Sequence, residues 1–332
     1  MNIVPRGYFG NGLPGAIVPS FTSFPSPAAM IVRSRPHWFP MLFVVRGSVL
    51  PHIAPQLIFT TAIAILVTAW HGVVYEWKVT LTFVPFSLIG LTLAIFLGFR
   101  NNTSYARYWE ARMLWGTLMV EARNLSRQAM TLVDDTRQAP HFVRLLIAFT
   151  HALRHQLRGT DPKADFARLL TPAECQRLSA AQFKPAVLLL MAGEWMAARR
   201  REGTLSQTMA LAMEAPLCRI GEALAGCERI ANTPIPFTYA VIIHRTIYLY
   251  CLLLPFALVD SIGPMTPIIV AFISYTFFAL EALGAEIEDP FGREPNDLAL
   301  DALSINVEAT LRETMGERDL PRPPAPVGYV QT

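Results

Sequence analysis

The sequence predicts an all-α membrane protein with four transmembrane helices per chain and a large cytosolic helical region. Three observations predict it. Hydrophobic residues make up 52% of the 332 residues and charged ones only 16%, against roughly 25% charged in ordinary soluble domains, and the mean hydropathy is +0.35. Four apolar runs approach the length that one hydrocarbon core requires. Between the second and third runs, charges recur every few residues and apolar side chains fall at helical spacing.

In chain order, residues 1–29 are rich in Gly, Pro, Ser and Phe, with Arg6 as their only charge. Pro and Gly interrupt every apolar run, so the stretch reads as a disordered leader and not as a signal peptide. Met30 opens the first organised segment. Within 30–51, Arg33, Arg35 and Arg46 stand among Trp38, Phe39 and Phe43. Basic and aromatic residues together suit the headgroup level, which predicts an interfacial helix and then a turn near Gly47 and Ser48. Residues 52–70 reach roughly 28 Å at about 1.5 Å per residue, one hydrocarbon thickness. A short connection, 71–82, leads to the second span, 83–99.

No loop signal separates that span from NNTSYARYWEARMLWG, so residues 85–116 read as one helix leaving the membrane and entering water. Residues 100–232 form the cytosolic helical region, with breaks predicted at 134–140, 159–162, 183–185 and 202–205. Residues 233–283 hold the third and fourth spans, with Pro255 inside the third and a very short loop at 261–266. The cytosolic C-terminal segment, 284–315, opens on Glu286, Glu288 and Asp289 and contains a helix over 296–315. Residues 316–332 read as a disordered tail. The outer loops 71–82 and 261–266 contain one Lys and no Arg. The positive-inside rule therefore places both termini and the 100–232 region in the cytoplasm.

Several function classes fall away. A net charge of +3 is too small to argue for nucleic acid. The four cysteines, Cys175, Cys218, Cys227 and Cys251, lack CxxC spacing, which leaves neither a metal framework nor a disulfide framework. His151 and His155 have the i, i+4 spacing of a zinc pair, yet Arg154 and Arg158 disfavour a cation there, and partly exposed helical histidines account for them. No nucleophile elbow, Walker or dinucleotide glycine pattern appears, so catalysis has no support. The deep parts of the spans lack Asp, Glu, Lys and Arg, which argues against an ion-coupled carrier.

Two readings remain. In one, several copies share a passive pore lined by the second span. Gly90, Ala94 and Gly98 form a small-residue stripe that allows close helix approach. Leu91, Ile95 and Phe99 form the adjacent stripe, and a ring of such side chains is a hydrophobic constriction. In the other, both stripes are helix packing inside one subunit and the chain is a membrane-anchored helical scaffold.

The stretch FSLIGLTLAIFLGFRNNTSYARYWEARMLWG resembles the bestrophin family, specifically its bacterial homologues. RSRPHWFPMLFVVRGSVL, GCERIANTPIPFTYAVIIHRTIYLY, LLPFALVD and EIEDPFGREPNDLAL are similar as well, so the likeness spans about residues 30–315. The resemblance implies a homopentameric channel for monovalent ions in the bacterial inner membrane, assembled around a central pore. It implies conduction of chloride and other anions, with a cation-selective channel of the same architecture as the alternative. It places a three-ring neck on Leu91, Ile95 and Phe99, with Leu where Ile is common. It places a second, cytosolic aperture at Thr208, or one residue on at Met209. Eukaryotic members hold calcium after their Pro-Phe-Gly motif. Here Arg293 and Pro295 follow Pro290-Phe291-Gly292 where carboxylates belong, so no calcium clasp, and no metal or cofactor, is expected. Glu286, Glu288 and Asp289 are expected to pair with cytosolic arginines or to lie near the pore wall.

Overall fold

The computed structural model describes residues 37–45, 47–74, 77–78 and 81–325. The predicted leader 1–29, the arginines at 33, 35 and 46, and the last part of the predicted tail lie outside the described residues. After a four-residue helix, α1 (Trp38–Met41), come α2 (Leu50–Ala69), a two-strand ladder of β1 (Val73–Val74) and β2 (Trp77–Lys78), and α3 (Phe83–Leu132). Then follow α4 (Ala139–Arg158), α5 (Lys163–Leu169), α6 (Pro172–Ser179), α7 (Lys184–Arg201), α8 (Gln207–Asn232), α9 (Phe237–Ile262), α10 (Thr266–Glu288) and α11 (Leu300–Thr314).

Among the described residues, three stretches are long and apolar enough to cross a membrane: Leu50–Ala69, Val84–Leu132 and Phe237–Glu288. The third contains two helices, α9 and α10, which separate at a 3-10 turn over Gly263–Met265. Gly263 takes φ +51 there, a value L side chains rarely adopt, so glycine permits the reversal. The apolar bundle packs α2, α9, α10 and the first half of α3 around Leu93, Leu97, Ile247, Cys251, Leu254 and Val270. A separate and larger core, with Trp115, Leu125, Phe142, Phe149, Leu178 and Ile220, joins the second half of α3 to α4, α7, α8 and α11.

All four predicted breaks between 100 and 232 coincide with helix ends, and the stretch predicted to leave the membrane lies within one 50-residue helix, α3. Three expectations need correction. First, a further break separates α5 from α6. Its signal was in the sequence: Thr171 accepts a hydrogen bond from the backbone of Glu174 while Glu174 reaches back to the backbone of Thr171, a capping box with Pro172 in the first turn. Second, α11 starts at Leu300 and not near 296, because Glu286 accepts from the backbone N–H and the side-chain amide of Asn296, at 3.0 and 3.1 Å, and holds that residue in a turn. Third, the predicted disordered tail is partly anchored: Gly316 (φ +83) ends α11, and Arg312 Nε donates to Glu317 at 2.5 Å.

Candidate functional site

The first half of α3 has two unlike faces. Phe86, Leu93 and Leu97 are buried against α9 and α10, and Arg100 and Ser104 continue that buried line toward the second half of the helix. The spacing of these positions alternates between three, four and seven residues, the repeat of a packed helix seam. On another face Leu91, Ile95 and Phe99 are 61%, 49% and 63% exposed. No charged side chain interrupts that stripe. Leu88, Ile89 and Phe96 of the same half are also exposed, at 62%, 43% and 47%, so a single subunit leaves a broad apolar surface uncovered, of which this line is one part.

The small-residue stripe divides. A Cβ on Gly90 would lie 2.8 Å from the Tyr250 hydroxyl, so glycine there permits close approach of α3 and α9. Ala94 and Gly98 are exposed, and a Cβ on Gly98 would meet nothing within 4 Å. Only the first member of the stripe is used for packing inside the subunit.

Directly after Phe99, α3 is fastened to its neighbours. Arg100, 5% exposed, reaches Glu288 at the end of α10 at 3.5 Å. Glu288 also accepts the backbone N–H of Ile235 at 3.2 Å, and its carbonyl accepts from Arg107 Nε at 3.1 Å. The two terminal nitrogens of Arg107 donate to the carbonyls of Thr233 and Ile230 at 2.6 and 2.7 Å, satisfying the open C-terminal end of α8. The Asn101 amide donates to the carbonyl of Leu280 at 3.0 Å. Gly284 makes room for it, since an added Cβ would fall 2.1 Å from Asn101 Oδ1. Three elements that are far apart in the chain meet at the base of the exposed stripe.

The loop after α10 folds around one carboxyl. Asp297 is 1% exposed and accepts the Glu294 backbone N–H at 2.6 Å. Burial pushes its carboxyl up to about 7, and the charges of Asp289, Glu286 and Glu294 push the same way. Among the described residues no three His, Cys, Asp or Glu side chains gather as metal ligands. Of the acidic residues expected to meet arginines, Glu288 pairs with Arg100, whereas Glu286 binds Asn296.

The expectation of partly exposed histidines fails for His151, which is 1% exposed. Its Nε2 lies 2.7 Å from Glu308 of α11, and the guanidinium of Arg168 forks onto the same carboxylate at 2.5 and 2.7 Å. Burial alone would raise the Glu308 carboxyl; the hydrogen bonds from His151 and Arg168 outweigh it and hold the group down at about 2. Asp165 receives Arg154, His155 and Arg168, at 2.8 to 2.9 Å. This knot clamps α4, α5 and α11, so the HALRH motif is structural. Sequence reasoning expected an arginine partner for Glu288 without identifying Arg100, and it missed the His151–Glu308 pair. Thr208, the aperture position inferred from resemblance, is exposed in the first turn of α8, where the Ser206 side chain accepts from the backbone of Met209.

Residues 30–313 match the family model for bacterial and fungal bestrophin proteins. The chain belongs to the bacterial and fungal bestrophin family. It is 48% identical over 294 residues to a voltage-dependent anion channel-forming protein of Ralstonia nicotianae, covering 88% of this chain and 96% of that one. It is 45% identical over 295 residues to the voltage-dependent anion channel-forming protein YneE of Escherichia coli, again covering 88% and 96%. Among solved structures, a bacterial bestrophin homolog from Klebsiella pneumoniae superposes with a TM-score of 0.78 at 41% identity, over 80% of this chain and 99% of that one. The fold and the family agree with the resemblance read from the motifs.

Proposed function

We propose that the protein is a passive ion channel of the bestrophin type, in which five copies surround one pore and conduct monovalent anions. The observation that carries the proposal is the uncovered stripe Leu91, Ile95 and Phe99 on a helix whose buried seam already faces α9 and α10. Placed around an axis, that stripe makes three apolar rings, a neck that gates by excluding water. The exposed Ala94 and Gly98 beside it let neighbouring copies of α3 approach closely. Each chain then crosses the bacterial inner membrane four times, with α2, the first half of α3, α9 and α10 as spans. Both termini and the helical region from residue 100 onward are cytoplasmic, following the positive-inside bias. The exposed Thr208, at the start of α8, is the proposed cytosolic aperture, with Met209 as the alternative register.

Anion conduction is supported by the relatives in Ralstonia nicotianae and Escherichia coli, both voltage-dependent anion channel-forming proteins by name. The stripe itself carries no charge that selects a sign. The test is the reversal potential of purified protein in a planar bilayer under a potassium chloride gradient. A potential near the chloride equilibrium value supports the proposal, and one near the potassium value establishes the cation-selective alternative. Absence of current at every voltage leaves the helical scaffold. At the neck, Phe99→Ala and Ile95→Ala are expected to raise conductance or open probability severalfold while the mass of the complex stays constant. Unchanged currents in both variants place the constriction elsewhere.

A further inference from the structure

Arg245 stands in the apolar bundle without a partner among the described residues. It lies on α9, eight residues after Phe237, which is about 12 Å along a helix rising about 1.5 Å per residue. The side chain is exposed. Its neighbours on the same face, Ile242 and Leu249, are apolar and 59% and 60% exposed, and Leu253 continues the stripe. Arg245 has no hydrogen bond or ion pair among the described residues. The adjacent histidine behaves differently: His244 Nδ1 meets Glu281 of α10 at 2.7 Å. Glu281 is thus turned toward His244, and Arg245 is left without an ion pair among the described residues, on an outward apolar face.

We infer that Arg245 binds the phosphate of an anionic phospholipid headgroup, in the leaflet nearest the α8–α9 connection. Arginine has a planar fork that matches a phosphate bidentately. Its stem lies along apolar surface while its head reaches the headgroup level. A charge about 12 Å from the helix start sits where an arginine needs only that reach to leave the hydrocarbon. Ile242 on one side and Leu249 on the other supply apolar contact for the acyl chains. The inference rests on α9 lying in a bilayer and not on conduction.

The test is lipid retention by the intact delipidated complex in a neutral detergent, followed by native mass spectrometry. Phosphatidylglycerol and phosphatidylcholine with identical acyl chains are added in competition. The wild-type protein is expected to prefer phosphatidylglycerol by about fivefold, the factor that accompanies about 1 kcal/mol for a basic residue at an anionic surface. Arg245→Gln is expected to abolish the preference with the mass of the complex unchanged, and Arg245→Lys to retain part of it. Millimolar inorganic phosphate is expected not to displace the lipid. The inference is overturned if Arg245→Gln keeps the preference. It is equally overturned if inorganic phosphate competes fully, which marks a site for a free anion. Dissociation of the Arg245→Gln complex into smaller species also overturns it, because Arg245 then contacts a second copy of the chain. None of these outcomes depends on whether ions pass through the pore.

Discussion

The two halves of α3 obey different rules. In the membrane half, Leu91, Ile95 and Phe99 stand uncovered while Leu93 and Leu97 are buried. In the second half, Ala111, Trp115, Leu118, Ala122, Leu125 and Ala129 are all buried within the subunit, and Glu121 takes Arg219 at 2.6 and 2.9 Å. Water drives the second half to bury its seam, since each large apolar side chain left exposed forgoes about 1.5–3 kcal/mol. Lipid applies no such drive between helices. The second half nonetheless leaves Trp109, Met113 and Val120 47%, 55% and 53% exposed, so uncovered apolar groups reflect what surrounds the subunit in both halves, and the halves differ in how completely the opposite seam is buried. The Arg100–Glu288 pair and the Arg107 fork sit at the boundary, where the solvent changes and one helix must serve both regimes.

The two halves should differ most at the larger core, which the second half of α3 shares with α4, α7, α8 and α11. Phe142 is fully buried, 4.7 Å from the Trp195 ring, so Phe142→Ala is expected to cost about 3–5 kcal/mol. Thermal unfolding of the complex reads that loss. Leu91→Ala, in the uncovered stripe, is expected to leave the melting temperature nearly unchanged, and equal losses at the two positions would abolish the contrast.

Glu308→Gln comes next, at about 2–3 kcal/mol for hydrogen bonds to a charged group. Glu308 is held at about 2 in the folded chain against 4.5 when free. Its contribution is thus full above pH 4.5 and is lost as pH falls toward about 2. The stability gap between the wild-type protein and Glu308→Gln should close over that acid window, as measured by denaturant unfolding. A gap that stays constant with pH would remove the charge from the explanation.

Asp297 has the opposite sign. Its carboxyl rises from 3.8 to about 7 on folding, so the folded chain holds the proton over this interval. Stability is greatest below pH 3.8 and declines as pH rises through about 7, as far as this group is concerned. Asp297→Asn, which resembles the protonated form, should flatten that decline. The same slope in both proteins would exclude Asp297 as its source.

The smallest effect sharpens the small-residue stripe. Gly90→Ala must displace Tyr250 and is expected to destabilise the subunit by about 1–3 kcal/mol. Gly98→Leu meets nothing within 4 Å of its Cβ, so it should leave the subunit intact and shift the detergent-solubilised complex toward smaller species. An unchanged mass would take Gly98 out of any contact between copies.

Sequence reading reached the membrane class, the positions of the apolar helices, the breaks between residues 100 and 232 and the family itself. Hydropathy, helical period and helix-ending residues act over a few neighbours and are visible in the chain. The α5–α6 boundary at Thr171 was equally local and was overlooked. Other features had no local trace. Leu91, Ile95 and Phe99 are no less apolar than Leu93 and Leu97, and only the packing of α9 and α10 decides which face is covered. Arg100 finds Glu288 across 188 residues, and His151 finds Glu308 across 157. Such partners are chosen by how distant helices come together, because a buried charge takes whichever counter-charge the fold brings within reach. The sequence by itself thus determined a membrane helix that runs on into water. The tertiary structure decided which of its faces is covered and which charged groups hold its base.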